Sequence, residues 1–173
     1  MSMGSRKTPS SDSPLGRLLA APMHPGELMW IGVRPVRKAA LIRSTSAELI
    51  AERGIQGDHY ETRQNGARQV TLIASEDIAA IASFIGQETI APELLRRNFV
   101  TRGINLVALK GRSLRIGDAV LEVSGDCAPC SRMEDNLGVG GYNAVRGRGG
   151  LTARILTGGT VHVGDAISVV EQA

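Results

Sequence analysis

Short apolar or alternating segments recur between glycine turns along this chain, and their spacing restricts the fold more than any other feature. They lie at residues 39–42, 69–73, 106–109, 119–123, 152–156 and 166–170. Each has the length of a strand. The 21 glycines and the aromatic content of only 3% favour many turns around an aliphatic core. The sequence therefore predicts a mainly β protein, either a sandwich or a barrel of short strands.

Two segments share the pattern strand, Gly-Asp turn, strand, at residues 115–123 and 162–170. Glycine tolerates a positive φ, and the aspartate side chain can bond its own turn, which suits a tight hairpin. We therefore predict two hairpins of similar construction.

One helix is clearly indicated. Ser75 is a plausible N-cap, acidic residues occupy the first turn, and Ile78, Ile81, Ala82 and Ile85 form one apolar face that ends at Gly86. A shorter helix is predicted to begin at Pro92 and to carry Leu94 and Leu95 inward. Arg96, Arg97 and Asn98 would follow directly at the end of this helix.

The chain is predicted to contain one domain, at residues 15–173, after a disordered N-terminal tail at residues 1–14 that is rich in Ser and Pro. No apolar stretch reaches the length of a membrane span, and the first residues lack the apolar run of a signal peptide. We therefore expect a cytoplasmic protein that makes no membrane contact. Thiols are kept reduced in that compartment, so Cys127 and Cys130 are expected to be chemical rather than cross-linking residues.

Seventeen arginines stand against three lysines, for a net charge of +3. Guanidinium groups bind phosphate and carboxylate in a bidentate manner, so this bias fits an anionic ligand. A GC-rich genome would produce the same bias through its codons. Nucleic-acid binding is not expected, because no basic run lies beside aromatic residues that would stack on bases.

Cys127 and Cys130 form a Cys-x-x-Cys motif in a loop after the predicted strand at residues 119–123. A thioredoxin-like dithiol is disfavoured because the chain lacks a parallel βα pattern. A structural zinc site is disfavoured because the three histidines stand singly. Two alternatives remain open: a single soft thiolate that binds a metal or accepts sulfur, and a pair of small residues packed in a buried turn.

An ordered series of six motifs resembles the MOSC domain, named for the C-terminal domain of molybdenum cofactor sulfurases. The motifs are residues 54–58 (GIQGD), 68–72 (RQVTL), 96–100 (RRNFV) followed by Gly103, 114–118 (LRIGD), Pro129-Cys130 and Gly164-Asp165. They span about residues 27–170, and the similarity is greatest to small stand-alone bacterial members.

The resemblance implies an antiparallel β-barrel of the MOSC or pyruvate-kinase-barrel type with a few short helices. It also implies the molybdenum cofactor, molybdopterin, with Cys130 as the molybdenum ligand or as the carrier of a sulfane sulfur. Arg97 would pair with the pterin phosphate, and Asn98 would orient the pterin or an oxo ligand. Further candidate cofactor contacts are Arg68, Gln69 and Arg132.

Structural roles compete with several of these assignments. Arg96 and Arg97 would stabilise the end of the short helix, and Asp58 would fix a turn beside an exposed His59. The glycine-rich segment 138–150 is either a flap over the cysteine, with Tyr142, Asn143, Arg146 and Arg148 as contacts, or a loose surface loop.

Three functions remain open. The first is a molybdenum-dependent oxidoreductase that reduces N-hydroxylated compounds; the second is a sulfurtransferase-like carrier that holds a persulfide on Cys130; the third is a non-catalytic ligand-binding barrel. The segment before Gly54 is too short to replace the N-terminal domain of eukaryotic relatives. We therefore expect that this chain alone does not retain the cofactor tightly, and that a redox or sulfur-donor protein, or a homodimer mate, completes the site around a small-molecule substrate.

Overall fold

The structure is a computed structural model that describes residues 9–61 and 66–170. Its strands are β1 Gly26–Val33, β2 Ile42–Ser44, β3 Ser46–Ile50, β4 Gly54–Ile55, β5 Val70–Ala74, β6 Phe99–Arg102, β7 Ser113–Ile116, β8 Ala119–Asp126, β9 Leu151–Thr157, β10 Gly159–His162 and β11 Ala166–Val170. Its helices are α1 Pro14–Ala20, α2 Ser75–Phe84, α3 Arg132–Leu137 and α4 Gly141–Val145, with 3₁₀ turns at Pro92–Leu95 and Leu106–Leu109.

Seven strands close into a barrel in the order β1, β11, β7, β8, β9, β5, β6, with β6 returning to β1. The β5–β6 pair is parallel, and the other six pairs are antiparallel. Helix α2 lies in the long connection between the two parallel strands, which a tight turn cannot join. The predicted barrel is therefore confirmed, and its sheet is mixed rather than wholly antiparallel.

Two further groups of strands lie beside the barrel. Strand β2 pairs with β1 through residues such as Ile31 and Ser44. Strands β10, β3 and β4 form a separate three-stranded sheet.

The structure has two apolar cores, one inside the barrel and one between the barrel wall and the helices. Leu28, Leu72 and Phe99 belong to the interior core, whereas Trp30 and Ile73 pack in the outer core with α2, α3 and α4. All five residues of β5 are buried because both of its faces are covered. The loop that carries the two cysteines leads from β8 into α3 of this outer layer.

Four of the six predicted strands, at residues 69–73, 119–123, 152–156 and 166–170, are observed as β5, β8, β9 and β11. The prediction for residues 39–42 is wrong, since β2 begins only at Ile42. The prediction for residues 106–109 is also wrong. This segment is a 3₁₀ turn because the Asn105 side chain accepts a hydrogen bond from the Val107 N–H and caps it.

Only one of the two predicted Gly-Asp hairpins forms. Strands β7 and β8 pair around Gly117 and Asp118 as expected. In the second copy, β10 pairs with β3 while β11 pairs with β7 and β1. The Asp165 carboxylate there accepts a hydrogen bond from the His162 N–H, so the turn redirects the chain from one sheet to the other.

Helix α2 begins at Ser75, with Ala74 rather than Ser75 in the cap position, and the chain leaves it through Gly86 at a φ of 71°. The predicted short helix is the 3₁₀ turn that starts at Pro92. Its Leu95 is buried as predicted, whereas Leu94 is 37% exposed.

Much of the predicted N-terminal tail lies outside the described residues. The described chain forms a turn before α1, where the Ser13 hydroxyl caps the helix by accepting from the Gly16 N–H at 3.0 Å. Within the described ranges, none of the helices has the length and apolar character needed to cross a bilayer.

Candidate functional site

The loop that joins β8 to α3 carries both cysteines in different environments. Cys127 is only 2% exposed, whereas Cys130 is exposed. The backbone holds the loop at both ends, because the Cys127 N–H donates to the Gly150 carbonyl and the Met133 N–H donates to the Cys130 carbonyl, both at 2.9 Å. The two thiols are therefore not equivalent, and Cys130 is the one accessible to solvent.

Arg97 fastens this loop to its neighbours. Its Nε donates to the Gly149 carbonyl at 2.7 Å, its Nη1 to the Leu95 carbonyl at 2.8 Å, and its Nη2 to the Cys127 carbonyl at 3.3 Å. The side chain is buried, with 3% exposed. One guanidinium thus joins three segments that are far apart in sequence, which makes Arg97 a positioning residue for the cysteine loop.

Asn98 forms a second buried junction. Its Oδ1 accepts from the N–H and hydroxyl of Thr71, and its Nδ2 donates to the Gly32 carbonyl and to Asp58 Oδ2, both at 3.2 Å. Asp58 Oδ2 also accepts from the backbone N–H of Arg34 at 3.0 Å. These bonds hold the end of β1, the Asp58 turn and the Arg97 segment together.

Five guanidinium groups interact electrostatically with one another, and three of them also interact with a cysteine. We call them the arginine cluster: Arg34, Arg68, Arg96, Arg97 and Arg132. Arg34 follows β1, Arg68 precedes β5, Arg96 ends the 3₁₀ turn, and Arg132 begins α3. Helix α3 is joined to the 3₁₀ turn by a 2.7 Å bond from Asn136 Nδ2 to the Leu94 carbonyl. Arg68 Nη2 donates to the Cys127 sulfur at 3.3 Å.

The arginines perturb one another electrostatically. Burial, followed by repulsion from Arg34 and Arg132, lowers the pKa of Arg96, and attraction to Cys130 partly offsets this effect. The pKa of Arg97 is lowered chiefly by burial, while Cys127 acts in the opposite direction. Burial also lowers the pKa of Arg34, partly offset by Asp58. The site is therefore a region of concentrated positive charge around two sulfur atoms.

His59 lies beside this cluster. Its side chain is 11% exposed, and its Nδ1 lies 3.1 Å from Asp58 Oδ1 and 3.4 Å from Arg34 Nε. Burial, then repulsion from Arg34, lowers the pKa of His59 although Asp58 opposes both effects. The prediction of an exposed loop histidine is therefore wrong, whereas Asp58 fixes its turn as expected by accepting from the Tyr60 N–H.

Other polar residues considered in the sequence have their partners outside the arginine cluster. Gln69 is buried, its Oε1 accepts from the Ile155 N–H at 2.7 Å, and its Nε2 has no hydrogen bond within the described ranges. Two acidic residues of the cysteine segment are engaged elsewhere: Asp126 with Lys110 at 2.7 Å, and Glu134 with the N–H groups of Gly140 and Tyr142. Both carboxylates therefore have partners of their own.

The glycine-rich segment 138–150 is not a loose surface loop, because part of it is helical and part packs against the cysteine loop. Residues Gly141–Val145 form α4, and Gly149 is buried against the Cys127 carbonyl. Tyr142, Arg146 and Arg148 line a cavity of about 340 Å³ that also borders residues 126–129, and Asn143 is not part of its wall. Arg148 bonds Asp77 at 2.9 Å and lies over the Phe84 ring.

Sequence reasoning missed Arg34 and assigned Arg96 only a helix-capping role. Arg34 reaches the site through the bonds among Asn98, Asp58 and its own N–H, which no local motif reveals. Arg96 adopts the left-handed conformation, with φ 60° and ψ 34°, directly after the 3₁₀ turn. The one signal available in the sequence was that Arg96 follows a short apolar helix, because the residue after a helix often adopts the left-handed conformation.

The model of the MOSC domain matches residues 52–168, which is more than half of the chain. The chain belongs to the MOSC domain family. Comparison with curated proteins gave no match.

Solved structures share the fold of this MOSC protein. The YuaD protein from Bacillus subtilis superposes with a TM-score of 0.76 at 19% identity, covering 87% of this chain and 98% of that one. YiiM from Escherichia coli gives a TM-score of 0.65 at 19% identity, covering 85% and 71% of the two chains. YiiM from Geobacillus stearothermophilus gives 0.66 at 17% identity, covering 84% and 75%.

Proposed function

We propose that this MOSC protein binds the molybdenum cofactor, with the Cys130 thiolate as the protein's ligand to molybdenum. The observation that carries the proposal is the exposed Cys130 thiol, which interacts electrostatically with Arg96 and Arg97 of the arginine cluster. A thiolate is a soft donor that suits a metal already held by dithiolene sulfur.

The donor set of the chain fits a metal that arrives within a cofactor. Among the described residues, no group of three or more His, Cys, Asp or Glu side chains is placed to hold a metal ion by itself. One thiolate with surrounding guanidinium groups instead matches a ligand that combines a soft metal with a phosphate. When bound, such a cofactor would supply two-electron chemistry, and we propose the reduction of N-hydroxylated compounds.

The phosphate of the cofactor would be held by Arg96 and Arg132, supported by Arg68. Neither Arg96 nor Arg132 has a side-chain hydrogen bond to another described residue, so both guanidinium groups can bind an anion. Arg97 and Asn98, to which the family resemblance gives direct cofactor contacts, direct their hydrogen bonds to protein groups. We propose that these two residues act by positioning the cysteine loop and the barrel strands around the cofactor.

Metal content tests this function. The chain is expressed in a host that synthesises the molybdenum cofactor, and the molybdenum retained by the purified wild type is compared with that of Cys130→Ala. We expect the variant to retain much less metal. Arg115→Gln is a suitable control because Arg115 is an exposed arginine on β7 that lies opposite Val120 at the start of β8, whereas the cysteine loop follows the end of β8. Equal molybdenum in wild type and Cys130→Ala would overturn the proposal.

A second function is a sulfur carrier that holds a persulfide on Cys130. The unequal exposure of the two thiols favours it, because a donor protein can reach Cys130 but not Cys127. Incubation with a cysteine desulfurase and cysteine should add the mass of one sulfur atom to the wild type and leave Cys130→Ser unchanged. An unchanged mass in the wild type would count against this function.

A further inference from the structure

We propose that Cys130 accepts a sulfane sulfur from a small anionic donor of the thiosulfate class, with the arginine cluster binding the donor's sulfonate oxygens. This proposal rests on the carrier form of the proposed function. It adds the chemical class of the donor and a transfer reaction that needs no donor protein.

The charge balance of the site indicates an anionic substrate. The five guanidinium groups outnumber the negative charges that Asp58 and both thiolates would supply together. Arg34 and Arg97 are buried, which reduces the screening of their charges by water and makes the excess energetically significant. A doubly charged sulfur oxyanion would balance it.

Hydrogen-bonding capacity identifies the two arginines that bind the donor. Arg97 is committed to backbone carbonyls, and Arg68 donates to the sulfur of Cys127. Arg96 and Arg132 keep their donors free of hydrogen bonds to the described residues, and α3 is fixed against the segment that carries Arg96 by the Asn136–Leu94 bond. Their planar forks suit the tetrahedral oxygens of a sulfonate group.

The backbone of Arg96 supports a binding role for its side chain. Among the described residues, twelve glycines but only Lys38, Glu52 and Arg96 have a positive φ. An arginine in this conformation is less stable than glycine would be, and such residues concentrate at ligand-binding sites. Of these three residues, Arg96 alone belongs to the arginine cluster.

The transfer is balanced without an added oxidant or reductant. The Cys130 thiol first loses its proton to solvent, and the thiolate then attacks the outer sulfur of thiosulfate. A bond forms between the Cys130 sulfur and that sulfur atom while the S–S bond of thiosulfate breaks. Sulfite leaves with the bonding electron pair, and Cys130 becomes a persulfide. Attack by a nucleophile such as cyanide then removes the outer sulfur as thiocyanate and restores the thiolate.

The arginine cluster stabilises both the approach of the donor and the departure of sulfite. Arg96 and Arg132 neutralise the donor as it approaches the negatively charged thiolate, and they stabilise the negative charge on the departing sulfite. The exposure of Cys130 allows the second nucleophile to reach the persulfide. Cys127 is buried and is not required in the transfer.

The test uses the whole chain with thiosulfate as the sulfur donor and cyanide as the acceptor. We expect the wild type to produce thiocyanate, and to gain the mass of one sulfur atom on Cys130 when cyanide is omitted. Cys130→Ser should do neither. Because hydrogen bonds to charged groups contribute strongly to binding, Arg96→Gln and Arg132→Gln should each raise the KM for thiosulfate about tenfold. Arg96→Lys, which keeps the charge, should restore part of the affinity.

The control is Arg115→Gln, which removes the same charge from the exposed face of β7 and should leave the KM for thiosulfate unchanged. Circular dichroism and the urea midpoint establish that each variant is folded. Loading of Cys130 by a cysteine desulfurase but not by thiosulfate would overturn the anionic-donor proposal while leaving the carrier function intact. An unchanged KM in both Gln variants would overturn the role of the arginines. Molybdenum content separately tests the cofactor proposal.

Discussion

Arg96 combines an unfavourable backbone conformation with a side chain in the arginine cluster. Replacing it with glycine removes the steric cost of the left-handed region, which exceeds the entropy that glycine loses on folding. We expect Arg96→Gly to raise the free energy of unfolding by roughly 0.5–1 kcal/mol, while weakening the thiosulfate reaction. Urea unfolding and the thiocyanate assay measure the two effects.

The matched control for that substitution is Arg115→Gly. Arg115 lies within strand β7, where glycine weakens the strand. This variant should lose roughly 0.5–1 kcal/mol of stability and keep its KM for thiosulfate. A loss of stability in both variants would contradict the assignment of backbone strain at Arg96.

His59 makes the stability of the fold depend on pH. Its pKa in the folded state is lowered by burial and by Arg34, so below about pH 6.5, the usual value for histidine, the unfolded chain takes up a proton more readily. The stabilisation is therefore present above that pH and decreases as the pH falls towards the lowered pKa of the folded state. His59→Gln should remove this contribution.

The measurement compares the free energies of unfolding of the wild type and His59→Gln in urea, from pH 7.5 to about pH 5. The difference between the two proteins should shift in favour of the variant as the pH falls. Groups that titrate equally in both proteins cancel in this comparison. A difference that is constant over this range would show that His59 does not contribute.

At the scale of single residues, the sequence predicted which residue types lie near the cysteines better than it predicted their roles. The position of Cys130 in a loop after a strand follows from local pattern, whereas Arg68 and Arg97 are candidates through the motif series and Arg132 through its closeness to Cys130 in sequence. The carbonyl partners of Arg97 come from segments far along the chain, so no local pattern separates a positioning arginine from a ligand-binding one.

At the scale of an element, the glycine-rich segment after α4 shows two different requirements for glycine: a positive φ and the absence of a Cβ. Gly147 and Gly150 have similar positive φ values of 74° and 84°. A Cβ at Gly147 would meet nothing within 4 Å, whereas one at Gly150 would collide with the Leu72 carbonyl of β5. Both residues need their conformation, but only Gly150 also needs the space.

Alanine substitutions separate these two requirements. Gly147→Ala should cost only the strain of the left-handed region, about 1–2 kcal/mol. Gly150→Ala should cost about 1–3 kcal/mol more, since β5 and the glycine-rich segment must move apart. Urea unfolding of the two variants measures the difference. Equal losses would contradict the close packing of this segment on the strand.

Element types followed from sequence where a cap or turn residue agreed with the apolar pattern. Helix α2 and the β7–β8 hairpin are examples. The pattern failed at residues 106–109, where a four-residue apolar run fits a strand as well as a 3₁₀ turn, and the Asn105 cap decided the outcome. It also failed after His162, because the partner of β10 is a strand more than a hundred residues earlier in the chain.

At the scale of the whole molecule, the barrel supports a site that lies outside its interior. The barrel core is apolar, and the cysteine loop extends from the end of β8 into the outer layer between the strands and the helices. Composition and turn spacing indicated a sandwich or a barrel, and only the motif series favoured the barrel. Closure depends on contacts between the first and last strands of the barrel, which no local pattern specifies.

Closure of the barrel depends on β11, which joins β1 to β7. Ile167 lies at the centre of that junction, opposite Gly26 on one side and Ile116 on the other, and none of its surface is exposed. Truncating it leaves a cavity at the seam, so Ile167→Ala should reduce the free energy of unfolding by about 2–5 kcal/mol.

The matched substitution is Ile42→Ala in β2, which removes the same atoms from a side chain that is 61% exposed and lies outside the closed ring of strands. It should cost less than about 0.5 kcal/mol. Urea unfolding followed by circular dichroism measures both values. If closure holds the molecule together as one unit, Ile167→Ala will lower the urea midpoint and keep a single transition. A second transition in that variant would show that the outer helical layer, with the cysteine site beside it, unfolds independently of the barrel.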